Sequence, residues 1–131
     1  MNRIFLFTGA LSACLAVGLG AFGAHGLRGR LEADMLAVFE TGVRYQMYHA
    51  LVLVVLGLAP HRRLGRWVAA AGGLFIAGSL CFSGSLYLIT LAGAQGIGLV
   101  TPAGGLMLLA GWLMLALAAL KSARTAPPPV G

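Results

Sequence analysis

His49 is the residue best placed, by type and spacing, to carry chemistry in this chain. It closes the word Tyr45-Gln46-Met47-Tyr48-His49, and Thr41, Tyr45 and His49 follow at four-residue steps. On a helix such steps fall on one face, so hydroxyl groups would lead to an imidazole. That arrangement suits a proton relay or the binding of a polar group. Other candidates are His25, Glu40, Arg44, Tyr48, Ser83, Ser85, Tyr87 and Thr101. Most also have a plain reading. His25, just before Gly26, can close a helix, and serines in apolar helices bond back to carbonyls one turn earlier. Tyrosines anchor at membrane interfaces, and Thr101 before Pro102 can cap a helix. Glu40 and Arg44, at i and i+4, can pair. For His49 both a structural hydrogen bond and a functional role stay open.

No familiar catalytic arrangement accompanies these groups. The chain holds no GxSxG, HExxH or Walker motif, no nucleophile–base pair and no carboxylate dyad. No catalytic residue and no cofactor are therefore expected, and the protein reads as a non-enzyme. His25 belongs near one membrane boundary and His49 near mid-depth, a separation of about 10–15 Å by helix rise. Zinc or copper ligands must approach one ion within about 2 Å, so no shared metal site is expected. Cys14 and Cys81 stand alone in apolar runs and read as small buried residues.

The elements that must hold these residues are helices in a bilayer. Between Trp67 and Leu120 the chain runs 54 residues without one Asp, Glu, Lys, Arg or His. A bilayer core takes about 20 apolar residues, so that run makes two crossings around the break 93–98. Composition agrees, with 60% hydrophobic residues, 9% charged and a mean hydropathy of +0.93. The uncharged run Ile4–Ala24, 21 residues long, exceeds a signal-peptide core and reads as a retained first crossing. The expectation is an all-α integral membrane four-helix bundle over residues 1–122, with helices at about 4–24, 33–59, 67–91 and 102–120. Residues 123–131, with three consecutive prolines, form a tail that cannot continue a helix.

Between the first two crossings, Leu31, Met35, Val38, Phe39 and Val43 recur at helical spacing among Glu32, Asp34 and Glu40. This predicts an amphipathic interfacial helix that runs on into the second crossing. Six basic residues (Arg3, Arg62, Arg63, Arg66, Lys121 and Arg124) fall on one side and three (Arg28, Arg30 and Arg44) on the other. Positive charge favours the cytoplasm, so both termini are expected there, and the polar cluster faces outward. The net charge of +6 records this orientation and contact with the lipid bilayer; nucleic acid is not an expected partner. Ala69, Gly73, Ala77, Cys81 and Ser85 form an i+4 stripe on the third helix. Ala10, Cys14 and Gly18, and Ala16, Gly20 and Ala24, do so on the first. Such stripes let helix backbones approach closely.

Four words stand in order along the hydrophobic segments: Gly20-Ala21-Phe22-Gly23-Ala24-His25, the run Thr41 to His49, Phe82-Ser83-Gly84-Ser85-Leu86-Tyr87, and Thr101-Pro102-Ala103-Gly104-Gly105. Together they resemble the YgdD-like family of small bacterial inner-membrane proteins, over roughly residues 1–122. The resemblance implies a four-crossing protein of the inner (plasma) membrane and supplies no catalytic residues. Two functions follow as expectations. One is a scaffold that acts by helix packing and association, as a homo-oligomer or in a larger membrane complex. The other is a small carrier or binding protein for a proton, an ion or an apolar molecule.

Overall fold

The structure, a computed structural model, describes residues 1–59 and 65–124. It contains four long helices: α1 (Arg3–Phe22), α2 (Ala33–Leu58), α3 (Arg66–Ala92) and α4 (Val100–Arg124). A π-helical turn, Gly23–Leu27, extends α1, and a single 3-10 turn, Gln95–Ile97, precedes α4. The basic residues Arg62 and Arg63 and the prolines of the tail lie outside the described residues.

Local signals account for the helix ends. The Asn2 side chain accepts from the N–H groups of Ile4 and Phe5 at 3.1 and 3.2 Å, capping α1. Gly93, in the left-handed region at φ +64°, ends α3, and the Ala94 N–H turns back to the Leu88 carbonyl. Thr101 does not cap α4. The helix starts one residue earlier, at Val100, and Pro102 sits in the first turn, where an N–H has no intrahelical partner to lose. The segment expected to lie as an amphipathic helix between the first two crossings is the opening of α2 itself, which runs unbroken to Leu58. Of its apolar stripe only Phe39 is fully buried, while Met35 is 40% exposed.

The helices pack antiparallel in chain order, α1 on α2, α2 on α3 and α3 on α4, and α1 and α4 share no comparable interface. Backbones meet closely where glycine stands. A Cβ at Gly57 would lie 2.5 Å from the Leu6 nitrogen, and one at Gly9 2.8 Å from the Ala50 carbonyl oxygen. Phe5, Leu53, Ala71, Phe75 and Leu108 form the apolar core, drawn from all four helices. The i+4 stripe on α3 does not stay on one face. Four residues advance the helix by about 400°, so the row drifts about 40° per step. Ala69, Gly73 and Ala77 are exposed, Cys81 is half-buried, and Ser85 at the far end is buried. On α1, Ala10, Cys14 and Gly18 likewise face outward, and only Ala16 of the other set is fully buried.

Three stretches, Arg3–Leu27, Arg66–Ala92 and Val100–Lys121, are long and apolar enough to cross a membrane. Their surfaces carry side chains that water would reject, among them Phe7 (67% exposed), Leu80 (71%) and Leu106 (67%). This is the inside-out character of a helical membrane protein. α2 is as long but more polar, and its Gln46 and His49 point inward.

Candidate functional site

Polar side chains at the helix centres and toward the Gly93 end of α3 stitch the four helices together. The Ser83 hydroxyl donates to the Gly42 carbonyl at 2.7 Å, joining α3 to α2. Gly42 permits this because its missing side chain leaves room for Tyr87 and Leu86. The Tyr87 hydroxyl donates to Gln46 Oε1 at 2.7 Å, and Gln46 Nε2 donates to the Ser12 carbonyl at 3.0 Å, extending the chain to α1. Ser85 meets Thr101 at 2.6 Å, and the Trp112 indole N–H donates to His49 Nε2 at 3.2 Å, so α4 is tied to both α3 and α2. In lipid, where hydrophobic burial gives helices no reason to meet, such bonds contribute about 0.6 kcal/mol each.

His49 is 4% exposed and ringed by Phe75, Tyr45 and Trp112. Its Nδ1 stands 2.7 Å from the Tyr45 carbonyl and must carry the hydrogen, since a carbonyl only accepts. Nε2 then accepts from Trp112. A neutral ring with its proton on Nδ1 satisfies both partners, and neither nitrogen is left for a metal or haem. The expected hydroxyl relay does not form. Thr41 donates back to the Ala37 carbonyl, and Tyr45 meets His49 through its backbone. Its ring is 42% exposed and packs on Phe82. Tyr48 also faces outward, at 55% exposure.

The other candidates disperse. His25 is exposed on the π-helical turn. Glu40 and Arg44 are exposed and line a shallow cleft of about 240 Å³ with Gly20 and Gly23, yet they do not approach within the 4.0 Å of an ion pair. Of the ten candidates, the structure therefore draws His49, Ser83, Ser85, Tyr87 and Thr101 into interhelical bonds. Among the described residues no three His, Cys, Asp or Glu side chains gather as metal ligands would.

Two residues central to this network, Gln46 and Trp112, escaped the sequence reading. An amide in the middle of a crossing is costly unless bonded, and that alone marks Gln46. Trp112 stands amid Leu, Ala and Met far from either helix end, where its N–H needs a partner.

A second feature was not foreseen. Between α1 and α3, with α2 as its floor, lies a half-open groove of about 440 Å³. Leu11, Leu15, Ile76 and Leu80 form its walls, and Ser12, Gln46, Ser79 and Tyr87 are among the residues that line it. The Ser79 hydroxyl is buried without a hydrogen-bond partner.

The matching family model is described as "Protein of unknown function (DUF423)" and covers residues 19–105, about two thirds of the chain. The chain belongs to the DUF423 family. Among DUF423-type relatives, the UPF0382 membrane protein YwdK of Bacillus subtilis is 45% identical over 120 residues, covering 91% of this chain and 98% of its own length. UPF0382 membrane proteins of Staphylococcus aureus (strain bovine RF122) and Staphylococcus epidermidis are 44% and 45% identical over 121 residues. Each alignment covers 92% of this chain and 98% of the relative. These relatives bear the UPF0382 name, and the YgdD-like label rests on the four sequence words alone. No solved structure matches the chain. The DUF423 span takes in Gln46, His49, Ser83, Ser85, Tyr87 and Thr101, but neither Ser12 nor Trp112.

Proposed function

We propose that this protein is a non-enzymatic, four-crossing module of the plasma membrane that acts by associating through α3 with a second copy or a larger membrane complex. The observation behind this reading is the bare row Ala69, Gly73 and Ala77. Gly72, its neighbour, is buried against Phe5, whereas a Cβ at Gly73 would meet nothing within 4 Å. Packing within the chain thus uses other small residues and leaves this row free for close backbone approach. The open order of the bundle supports the same reading, since α1 and α4 do not close on each other. α2 makes the fourth crossing, with Gln46 and His49 turned to its neighbours.

Because Gly73 and Ala77 touch little in the chain, Gly73→Leu with Ala77→Leu leaves the fold intact and removes assembly. Particle mass in mild detergent, measured by light scattering, is expected to fall to one chain. An unchanged particle after both substitutions overturns the α3 interface.

In this reading the end carrying Arg3, Arg66 and Lys121 lies in the cytoplasm, with both termini. Trp67 supports an interfacial position there, with Lys121 Nζ 3.9 Å and Arg66 Cζ 5.7 Å from its ring centroid. In intact cells an impermeant maleimide is expected to label Ala33→Cys and spare Arg63→Cys. Labelling of Arg63→Cys alone inverts the molecule.

A further inference from the structure

The two ends of the bundle differ in charge. The end with Arg3, Arg66 and Lys121 holds no acidic residue, whereas the other sets Glu32, Asp34 and Glu40 against Arg28, Arg30 and Arg44. A balanced end favours a ligand that carries both signs. Glu40 and Arg44 share the cleft between α1 and α2, beside Gly20 and Gly23 of α1 and Val43 of α2. Both are exposed, and among the described residues neither has an ion-pair partner within 4.0 Å. An acid and a base one turn apart that leave each other free offer a ligand two contacts.

Their order in depth narrows what that ligand is. Glu40 stands 18 residues before Leu58, the end of α2, and Arg44 stands 14 before it, about 27 and 21 Å along the axis. With a hydrocarbon core of about 30 Å, the cleft lies just inside the far boundary, where headgroups join their chains. The cation is the deeper charge by about 6 Å. A phospholipid with an amine headgroup carries its charges in the same order, with phosphate next to the glycerol and ammonium farther out. A glycerol headgroup would bring phosphate to Arg44 but no cation to Glu40. The ammonium of choline is fully methylated and has no N–H to donate, whereas that of ethanolamine has three. Deeper and at helical spacing from the cleft, Val17 and Leu51 are 63% and 53% exposed, apolar surface for an acyl chain.

We infer that the cleft at Glu40 and Arg44 binds one phosphatidylethanolamine. The Arg44 guanidinium donates to its phosphate, a pairing that the planar fork favours, and the lipid ammonium donates to the Glu40 carboxylate. The site lies on α1 and α2, apart from the row Ala69, Gly73 and Ala77 proposed for association.

The test uses the full chain, stripped of lipid in detergent, and counts bound molecules by native mass spectrometry. The probes are phosphatidylethanolamine, phosphatidylcholine and phosphatidylglycerol with the same acyl chains, and glycerophosphoethanolamine, which has none. One phosphatidylethanolamine per chain is expected, about fivefold tighter than either other lipid, the scale of one partly exposed charge pair. Glu40→Gln is expected to lower phosphatidylethanolamine to the level of phosphatidylcholine and to raise phosphatidylglycerol. Arg44→Gln is expected to weaken all three. The preference is a ratio within one variant, so a general loss of folded protein does not mimic it. Equal binding of the three lipids by the wild type would overturn the inference. So would a preference for phosphatidylethanolamine that survives Glu40→Gln. Glycerophosphoethanolamine binding as tightly as the lipid would make the cleft a site for a soluble headgroup, with the same result.

Discussion

Toward α2 and α4, α3 brings each polar side chain against a partner: Ser83 on Gly42, Tyr87 on Gln46, Ser85 on Thr101. Toward α1 it presents Ile76, Ser79, Leu80 and Gly84 along a half-open groove, and the Ser79 hydroxyl is enclosed without a partner. The two faces thus differ in kind. On the first, polar atoms replace the hydrophobic incentive that lipid removes, and glycine lets the backbones close. On the second, one enclosed hydroxyl goes without a partner and mostly apolar side chains line the space. Polarity on the first face marks a seam between helices, and the hydrogen bonds separate it from the second.

The largest expected effect lies where backbones touch. Gly57→Ala places a methyl group 2.5 Å from the Leu6 nitrogen, and a main chain cannot rotate away as a side chain could. α1 must separate from α2, at a cost of about 3 kcal/mol. Unfolding in detergent, followed by circular dichroism, measures it. A wild-type midpoint would mean that the α1–α2 seam is not closed as described.

Next comes the polar seam. Gln46→Leu strands the half-buried Tyr87 hydroxyl without its acceptor and is expected to cost about 1–2 kcal/mol. Tyr87→Phe removes the stranded group, so the double variant should recover part of that loss. Additive losses in the double-mutant cycle would show the two residues to be uncoupled. Trp112→Phe is milder, about 0.6 kcal/mol, because Trp112 is 47% exposed and loses one bond. Its sharper readout is nitrogen NMR of His49. The wild-type ring should carry its proton on Nδ1 and accept at Nε2, and the Nε2 resonance should move when the indole is removed. An Nε2-protonated ring in the wild type would contradict the described pairing.

Much of this architecture was legible from composition, because charge-free length has few uses in water. Four helices, their antiparallel order and the basic ends all follow from where Arg and Lys stop and hydrophobic runs begin. The pairings were less legible, for physical reasons. Thr101 reads as a cap in the one-dimensional signal, yet its hydroxyl goes to Ser85, a partner 16 residues away. Glu40 and Arg44 have pairing distance in sequence, but at an exposed surface nothing holds their long side chains together. Gln46 and Trp112 matter through neighbours 34 and 63 residues distant, which no local pattern encodes. Ser12 and Ser79 are harder still, since what distinguishes them is a bond they lack.

The smallest expected effect separates the packed side of α3 from its outward row within one step of the chain. Gly72 and Gly73 are adjacent, and Ala at either one adds a single methyl group. At Gly72 that methyl runs into the ring of Phe5, which the core holds in place, so α1 must shift. At Gly73 it meets nothing within 4 Å, and the helix gains from losing a glycine. Gly73→Ala should therefore leave stability within about 0.5 kcal/mol or raise it, when measured in a detergent that holds the protein as single chains. Gly72→Ala under the same conditions should lower it. If Gly73→Ala destabilised the single chain as much as Gly72→Ala, Gly73 would be packed inside the protomer. The row Ala69, Gly73 and Ala77 would then be a seam already in use, and the associating surface would have to lie elsewhere.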